Sequence, residues 1–398
     1  MKIAMVSEHA SPLAALGGVD AGGQNVHVAA LATALARRGH QVTVYTRRDD
    51  PDLPETVQML PGVGVVHVPA GPAGPVPKDD LLPFMPAFGT WLGQHWAVTG
   101  VPDVVHSHFW MSGVAVLAAE TSAPLVHTYH ALGTVKRRHQ GAKDTSPAGR
   151  VEAEARIGAT VDLVVATCRD ELRELAAMGV PEDRVDVVPC GVDVKQFSPD
   201  SGRAPRREGM RRLVYVGRLV ERKGVDTVVR ALAHLPDTEL VVVGGAADQG
   251  EDPVARGLAE LAEDLGVTDR LDLRGPVPRG EIPALIRSAD VVVAVPWYEP
   301  FGIVPLEAAA CGRPLVGSRV GGLLDSVADG RTGLLVPPRN PDALADAVRQ
   351  LLDDPARAEE MGRRARRRAV ERFSWERVAL STERSYGSVI EQKKGATA

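Results

Sequence analysis

The feature that most constrains this chain is a regular alternation of short apolar runs with longer segments of helical apolar spacing. Segments such as Val26–Arg37 and Val151–Val161 carry apolar residues at intervals of three and four. Strand, helix and strand in this order predict βαβ units around a parallel sheet. The predicted strands of the first half are Lys2–Ser7, Gln41–Thr46, Val63–Val68, Val104–His106, Leu125–Tyr129 and Leu163–Thr167.

The same pattern restarts after Ser198–Arg212, a polar segment rich in Arg and Pro that predicts a linker. We therefore expect two doubly wound domains, at residues 1–198 and 199–373. The last stretch, Pro341–Gln392, is helix-forming with breaks near Pro355 and Ser374, which leaves 374–398 as a terminal helix. The second set of predicted strands is Leu213–Val216, Leu240–Val243, Leu271–Leu273, Val291–Val295 and Leu315–Gly317.

The amino-acid composition disfavours nucleic acid as a binding partner. The chain has 46 basic and 51 acidic residues, a net charge of -5, whereas nucleic-acid binders usually carry a basic excess. Aromatic residues are only 4%, too few for a long stacking platform. No apolar stretch reaches the roughly 20 residues that span a bilayer, and the first residues do not resemble a signal peptide. We expect a soluble, cytoplasmic protein that binds no nucleic acid.

Residues 17–25, Gly-Gly-Val-Asp-Ala-Gly-Gly-Gln-Asn, lie between the first predicted strand and the first predicted helix. Glycines let backbone N–H groups approach a ligand, and the following helix presents its positive end to a phosphate. The pattern is neither the dinucleotide-binding fingerprint nor a P-loop. A phosphate-binding turn and a plain flexible connection therefore both stay open.

Residues 217–224, Gly-Arg-Leu-Val-Glu-Arg-Lys-Gly, directly follow the first strand of the second domain. Arg218 and Lys223 are two cations that can hold a diphosphate at such a turn, although a solvated charged turn is the alternative.

Residues 299–307, Glu-Pro-Phe-Gly-Ile-Val-Pro-Leu-Glu, form the most specific motif and follow the predicted strand Val291–Val295. Glu299 can reach a sugar hydroxyl and Glu307 a ribose, while the helix start between them offers N–H groups to a phosphate. Surface carboxylates beside a helix start are the alternative.

In this order and spacing the motifs resemble the retaining GT-B glycosyltransferases of family 4, group 1. That family includes sucrose-phosphate synthase and the inositol-phosphate N-acetylglucosaminyltransferase of mycothiol synthesis. The resemblance also covers residues 106–110, His-Ser-His-Phe-Trp, and 127–130, His-Thr-Tyr-His. It implies an α/β GT-B fold in which two Rossmann-like domains face a central cleft. The first would bind the acceptor, the second the nucleotide sugar, and helix 374–398 would cross back to the first.

The resemblance gives each motif residue an expected role. Arg218 and Lys223 match the cations that grip the donor diphosphate, and His130 matches a histidine over the donor sugar. Glu299 matches the carboxylate that holds sugar hydroxyls, and Glu307 the one that binds the ribose. The expected catalytic residues are His130, Glu299, Arg218 and Lys223, and the expected donor-binding residues are Gly22, Gly23, Arg218, Lys223, Glu299, Phe301, Gly302, Ile303, Val304 and Glu307.

The acceptor side departs from the inositol-phosphate enzyme. Lys78 and Arg156 resemble the cations that bind its acceptor phosphate, and Asn25 matches an acceptor-side position. Phe109 and Ala131, however, stand where that enzyme has tyrosine and threonine, so two hydroxyl donors are missing. The expected acceptor is a small hydroxylated molecule, a cyclitol or a phosphorylated polyol, and its expected binding residues are Asn25, Lys78, Phe109 and Arg156.

We expect no metal and no cofactor apart from the nucleotide sugar, which is a co-substrate. His106, His108, His127 and His130 lack a cysteine or carboxylate that would complete a metal site. Asp50-Pro51-Asp52 matches the D-x-D pattern of metal-dependent transferases but is typical of a surface turn. The basic run 363–368 predicts a solvated helix face, with weak contact to an anionic membrane as the alternative.

The sequence thus predicts a retaining hexosyltransferase whose donor, by resemblance, is a UDP-sugar. Three further hypotheses stay open: a catalytically silent nucleotide-sugar-binding protein, an epimerase acting on the nucleotide sugar alone, and a lipid-directed enzyme that uses GDP-mannose. Whether the protein forms a homodimer also stays open. Neither the donor base nor the acceptor is determined by the residues.

Overall fold

The structure, a computed structural model, describes residues 1–14, 22–246, 252–300 and 302–397. The chain divides into two compact units, one formed by Met1–Pro189 with Trp375–Ala398 and the other by Cys190–Ser374. The prediction of two doubly wound α/β domains is confirmed, because each unit contains a largely or wholly parallel sheet covered by helices.

The sheet of the first unit has the strand order β3-β4-β2-β1-β5-β6-β7-β8 in the described part of the chain. The outermost strand, β3, runs antiparallel to β4, and the other described pairings are parallel. The strands are β1 (Lys2–Val6), β2 (Gln41–Arg47), β3 (Thr56–Leu60), β4 (Val63–Val68), β5 (Val104–His108), β6 (Leu125–Thr128), β7 (Leu163–Ala166) and β8 (Val185–Val187).

The chain leaves β1 for β2 on one side and later returns to β5 on the other, so β1 and β5 flank the point where the strand order reverses. Ligands of open parallel sheets bind beyond the carboxyl ends of the strands at such a point. The helices of this part of the chain are α1 (Gly23–Arg37), α2 (Met85–Thr99), α3 (Trp110–Leu117), α4 (Gly133–Gln140), α5 (Arg150–Thr160) and α6 (Arg169–Ala177).

The described sheet of the second unit is entirely parallel, with the order β11-β10-β9-β12-β13-β14. Its reversal point lies between β9 and β12. The strands are β9 (Arg211–Val216), β10 (Thr238–Val243), β11 (Leu271–Leu273), β12 (Val291–Ala294), β13 (Leu315–Ser318) and β14 (Leu334–Val336).

Three helices of the second unit begin at an Asp-Pro or Asn-Pro pair, since the side-chain oxygen caps the first turn and proline fits the first helical position. The capping residues are Asp252, Asn340 and Asp354. The helices of this unit are α7 (Val225–Leu232), α8 (Pro253–Asp264), α9 (Ile282–Ser288), α10 (Ile303–Ala310), α11 (Leu323–Ser326), α12 (Pro341–Leu352) and α13 (Pro355–Phe373).

The terminal helix, α14 (Trp375–Thr397), packs on α1 of the first unit. Val378, Tyr386 and Val389 are buried with the apolar face of α1, and the Tyr386 hydroxyl lies 2.6 Å from Nδ1 of His106 in β5. The predicted breaks near Pro355 and Ser374 are confirmed as the gaps that separate α12, α13 and α14. No helix within the described residues is long and apolar enough to cross a bilayer.

The segment predicted as a linker, Ser198–Arg212, packs within the second unit, and its last two residues already belong to β9. Arg287 of α9 donates to the carbonyls of Gly202 (2.7 Å) and Ser198 (3.1 Å), and Arg206 pairs with Asp290 at 2.6 Å. A polar segment without periodicity suggests a solvated linker, but here an ion pair and hydrogen bonds to its carbonyls hold the segment against the second unit.

Glycines inside the two last helices have opposite surroundings. A Cβ on Gly362 of α13 would lie 2.2 Å from the carbonyl oxygen of Gly312, which follows α10, whereas a Cβ on Gly387 of α14 would meet no atom within 4 Å. Only Gly362 is therefore required by the close approach of two backbones.

We expect Gly362→Ala to lower the free energy of unfolding by about 1–3 kcal/mol, since α13 must move away from Gly312. The matched variant Gly387→Ala should leave stability unchanged or raise it by up to about 1 kcal/mol, because alanine favours a helix. Thermal and denaturant unfolding followed by circular dichroism measure both. Equal effects of the two substitutions would contradict the packing of α13 on α10.

Candidate active site

Three neighbouring strands of the first unit end at the same edge of the sheet and carry candidate site residues there. Glu8 and His9 follow β1, Phe109 follows β5, and His130 follows β6. Because parallel strands share a carboxyl edge, residues far apart in sequence are brought together at this edge. The His9 and Phe109 rings are 5.0 Å apart in an edge-to-face arrangement.

Phe109 and His130 both have a left-handed backbone, with φ values of 77° and 64°. Such values are unfavourable for side chains of this size and persist only where the surrounding structure enforces them. The Phe109 N–H donates to the carbonyl of Thr128 at 2.9 Å, which ties the ends of β5 and β6 together. Both strained residues therefore lie at neighbouring strand ends on this one edge of the sheet.

The predicted catalytic residue His130 lies in a cluster of buried imidazoles and is 3% exposed. His130 Nε2 is 2.9 Å from Nδ1 of His108, and the His27 ring stands edge-on to His130 at 5.1 Å. His106 in turn contacts Tyr386 and, at 2.9 Å, the hydroxyl of Thr128. The cluster therefore connects the end of β6 with α1 and α14.

Burial disfavours the charged form of every imidazole in this cluster. It lowers the pKa of His27 to about 4 and that of His127 to about 3. The pKa values of His106, His108 and His130 lie well below 6.5, because of burial first and neighbouring imidazoles second. At neutral pH the ring of His130 is therefore uncharged.

The face of Phe109 is flanked by two cations. Lys78 Nζ lies 6.0 Å and the Arg150 guanidinium carbon 5.2 Å from the ring centre. Lys78 and Phe109, both predicted for the acceptor side, are thus brought together. Arg156 is not: it is exposed on α5 and has no described contact with either residue.

Arg150 is a candidate site residue that the sequence reasoning missed. It is buried, pairs with Glu154 at 2.7 Å and donates to the carbonyl of Ala131 at 2.6 Å. Both carboxylate oxygens of Glu154 also accept from the N–H of Gly133, at 3.0 and 2.8 Å. Burial raises the pKa of Glu154, and the Arg150 charge opposes that rise. An Arg and a Glu four residues apart on a helix were a usable signal, although such pairs are usually exposed.

The start of α1 is held over the carboxyl edge by its own polar side chains. Gln24 Nε2 donates to the Ser7 hydroxyl at 3.1 Å and to the His108 carbonyl at 3.3 Å. Asn25, predicted for the acceptor side, is buried, accepts from the N–H of Gly22 (3.1 Å) and donates to the carbonyl of Ser11 (3.0 Å). Gly22 and Gly23 lie at the described start of α1, whereas residues 17–21 of the glycine-rich motif lie outside the described residues.

In the second unit, the loops after β9 and β12 bring two predicted donor residues into contact. Lys223 Nζ forms an ion pair with Glu299 Oε2, and the Trp297 N–H donates to the Arg222 carbonyl at 2.8 Å. Gly224 makes the close approach possible, because it has φ 67° and an added Cβ would lie 2.3 Å from the carbonyl oxygen of Val295.

The backbone of Glu299 is fixed from the other side by the loop after β13. The Gly322 N–H donates to the Glu299 carbonyl at 2.7 Å. Gly321 has φ 46°, and a Cβ there would lie 2.3 Å from the same carbonyl oxygen. Three strand-end loops therefore position one carboxylate, although the sequence motifs covered only the loops after β9 and β12.

Burial lowers the pKa of Lys223, and the adjacent Glu299 carboxylate partly restores it. Arg218 is exposed, and its carbonyl accepts from the Tyr215 hydroxyl at 3.3 Å. The predicted cations of this motif thus differ in setting: Lys223 is half-buried and paired with Glu299, and Arg218 faces solvent.

The start of α10 has no side-chain cap, because its N-cap residue is Gly302 with φ 69°. Uncapped N–H groups in the first turn, which Ile303 and Val304 begin, are suited to a phosphate oxygen. Phe301, also predicted for the donor, lies outside the described residues.

Glu307 is also on α10 but has a different partner from Glu299. It is 1% exposed and forms an ion pair with Arg279, whose guanidinium lies 5.0 Å from the ring centre of Phe197. Burial raises the pKa of Glu307, and Arg279 opposes the rise. Arg279 was missed, since an arginine in the turn Pro278-Arg279-Gly280 carries no recognisable motif.

The other charged features have intramolecular explanations. Among the described residues no group of three or more His, Cys, Asp or Glu side chains could hold a metal ion. The Asp50 carboxylate accepts from the N–H of Asp52 at 2.8 Å, as in a turn. In the run 363–368, Arg363 and Arg364 pair with glutamates of α13, and Arg366 binds the carbonyls of Val194, Phe197 and Ala310.

Comparison with known families divides the chain as the structure does. Residues 198–368 match the family "Glycosyl transferases group 1", and residues 21–196 match "Glycosyltransferase Family 4". The chain is 40% identical to a D-inositol 3-phosphate glycosyltransferase of Xylanimonas cellulosilytica, over 96% of this chain and 95% of that protein.

Solved structures give the same result for the fold. Sucrose-phosphate synthase from Thermosynechococcus elongatus has a TM-score of 0.88 and 32% identity, with 98% of this chain and 99% of that chain covered. HepE from Anabaena, solved in complex with UDP-glucose, has a TM-score of 0.74 and 20% identity, with 98% and 100% covered. The likeness to HepE concerns the fold alone. The predicted GT-B fold class is confirmed.

The buried histidines predict a loss of stability in mild acid. Their pKa values in the folded state lie below the unfolded value of about 6.5, so below that pH only the unfolded state takes up the proton. Each histidine that stays neutral should reduce the free energy of unfolding by about 1.4 kcal/mol per pH unit as the pH falls from 6.5 towards 4. Burial raises the pKa of Glu154, Glu171 and Glu307, which act in the opposite direction and reduce the net slope.

Denaturant unfolding at pH values between 7.5 and about 4.5 should therefore show stability falling below pH 6.5. His127→Gln removes one buried imidazole and should make that slope shallower, whatever it does to stability at pH 7. A slope that is absent, or identical in the variant, would contradict the burial of neutral histidines.

Proposed function

The chain belongs to the group 1 glycosyltransferases and has a family 4 N-terminal part. We propose that it is a retaining enzyme that transfers a sugar from a UDP-sugar to a phosphorylated cyclitol or polyol. The observation that carries the proposal is the contact of Lys223 with Glu299 at the carboxyl edge of β9 and β12. It supports the proposal because a cation that can neutralise a diphosphate lies beside a carboxylate that can accept from a sugar hydroxyl.

The donor would bind along this edge of the second unit. Its diphosphate would lie against Lys223, Arg218 and the uncapped first turn of α10, which are all donors or positive charges. Glu299 would accept hydrogen bonds from the sugar hydroxyls, and its fixed backbone would keep the reacting carbon in place. Glu307 would accept a hydrogen bond from the ribose while it keeps its ion pair with Arg279.

Departure of the diphosphate is the step that most needs stabilisation, because negative charge develops on the leaving oxygen. Lys223, Arg218 and the α10 amides supply positive charge without a metal ion. In the proposed retaining reaction the acceptor oxygen bonds to the anomeric carbon on the face that the diphosphate leaves. The acceptor proton passes to the departing phosphate oxygen, so no protein nucleophile is needed.

The acceptor would bind at the carboxyl edge of the first unit. A relative 40% identical is named a D-inositol 3-phosphate glycosyltransferase, which makes a phosphorylated cyclitol the first acceptor to test. Lys78 and Arg150 each lie over the ring of Phe109, and we propose that they neutralise the phosphate group of the acceptor. Phe109 and Ala131 offer no side-chain hydroxyl, so we propose that the acceptor polyol is bound with fewer direct hydrogen bonds than in an enzyme with tyrosine and threonine.

We expect Lys223→Ala and Glu299→Ala to lower kcat/KM for sugar transfer by about 100-fold or more, which is the usual cost of removing one group that stabilises developing charge. Transfer is measured as acceptor-dependent release of the nucleoside diphosphate. The matched control Arg349→Ala breaks the exposed pair with Asp346 and should change the rate less than about twofold. Turnover close to that of the unmodified chain in either variant, with the fold intact, would contradict the donor assignment.

Substitutions at Arg150 and Arg156 of α5 test which of these two arginines binds the acceptor. Arg150→Lys keeps the charge but loses the planar fork that contacts Glu154 and the Ala131 carbonyl. It should raise the KM for the acceptor about tenfold while leaving the KM for the donor unchanged. Arg156→Ala should have little effect, because Arg156 is exposed and has no described contact with Phe109. A raised acceptor KM in Arg156→Ala alone would support the prediction made from sequence and contradict the assignment of Arg150.

A further inference from the structure

Glu8 is a completely buried carboxylate at the carboxyl end of β1, where a buried charge is costly unless it is hydrogen-bonded. Its Oε1 lies 2.6 Å from Nδ1 of His9, and its Oε2 accepts from the hydroxyl of Ser112 in α3. The Glu8 N–H donates back to the Ser112 oxygen at 3.0 Å. The side chain is therefore fixed at both oxygens.

His9 connects this buried carboxylate with the candidate acceptor site. Its side chain is 13% exposed, and the ring meets the edge of Phe109 at 5.0 Å. Lys78 and Arg150 lie on the face of the same Phe109 ring. None of the described residues forms a hydrogen bond with Nε2 of His9.

We propose that Glu8 is a positioning residue for acceptor binding, which holds His9 in the tautomer with its proton on Nδ1. A carboxylate oxygen can only accept, so the imidazole must donate from Nδ1, and in this tautomer Nε2 is left as an acceptor. That nitrogen accepts a hydrogen bond from a hydroxyl of the acceptor polyol, beside the phosphate held by Lys78 and Arg150. The inference rests on the proposed function for the identity of the ligand, but not for the state of His9.

The substitution Glu8→Gln tests this with little change of shape. The amide oxygen can still accept from Ser112, which turns the amide N–H groups towards His9 and favours the proton on Nε2 instead. Imidazole ¹⁵N shifts, with the His9 signals identified by their loss in His9→Gln, should show the Nδ1–H form in the unmodified chain and its loss in Glu8→Gln. Unchanged His9 shifts would overturn the proposal, whether or not sugar transfer is found.

Kinetics give the second readout, with D-inositol 3-phosphate and a hexose 6-phosphate as acceptor probes. Glu8→Gln should lower kcat/KM for the acceptor by about 10- to 100-fold, mainly through KM, with an unchanged donor KM. The double variant Glu8→Gln/His9→Gln should be no worse than His9→Gln, because Glu8 acts through His9.

A control substitution at another buried carboxylate distinguishes an effect on acceptor binding from a general loss of stability. Glu171 accepts from the N–H and hydroxyl of Thr167, both at 2.6 Å, and has no described hydrogen bond to His9 or Phe109, so Glu171→Gln should alter Tm without a selective change in acceptor KM. A loss of Tm in Glu8→Gln without a change of acceptor KM, or effects of Glu8→Gln and His9→Gln that multiply, would overturn the proposal. If the unmodified chain uses no acceptor, the proposed function fails, and the His9 shifts still decide the role of Glu8.

Discussion

Parallel strand pairing is the constraint on which both units depend. It places the ends of neighbouring strands at one edge of the sheet, although the residues at that edge are far apart in sequence. In the second unit β9 and β12 are neighbours, so Lys223 and Glu299 meet although they are 76 residues apart in sequence. In the first unit the same pairing joins the ends of β1, β5 and β6. Strand ends that meet at one edge bring loops close together. This edge carries the strained backbone of Phe109 and His130 in the first unit, and the close approaches at Gly224 and Gly321 in the second.

The carboxyl edges of the two sheets differ in their charged groups. The second unit pairs its half-buried lysine with Glu299 and leaves the start of α10 uncapped, an arrangement suited to a ligand that carries both phosphate and hydroxyl groups. The first unit instead keeps a group of histidines neutral by burial and places Lys78 and Arg150 against an aromatic face. A neutral interior beside a cationic face is suited to a phosphorylated polyol.

The central strands were predictable to within about two residues, because strands buried on both faces are continuous apolar runs. The outermost strands β3 and β8 were missed, since exposed or half-exposed residues interrupt them. The short polar helix α4 was missed for the same reason. The outermost strand β14 was missed although its three residues, Leu334–Val336, are all apolar. At the site, motif residues were identifiable one at a time, whereas Arg150, Arg279 and Glu8 were not, because their importance lies in contacts that only the folded chain creates.

The most direct test of the account is a product analysis with the unmodified chain, a set of nucleotide sugars and D-inositol 3-phosphate or other phosphorylated polyols. Mass spectrometry and proton NMR of the product follow the mass gained by the acceptor and the configuration of the new bond. We expect the acceptor to gain one glycosyl unit with the anomeric configuration of the donor, and UDP release to depend on the acceptor. An inverted linkage, an altered nucleotide sugar without transfer, or no turnover with any donor would contradict it.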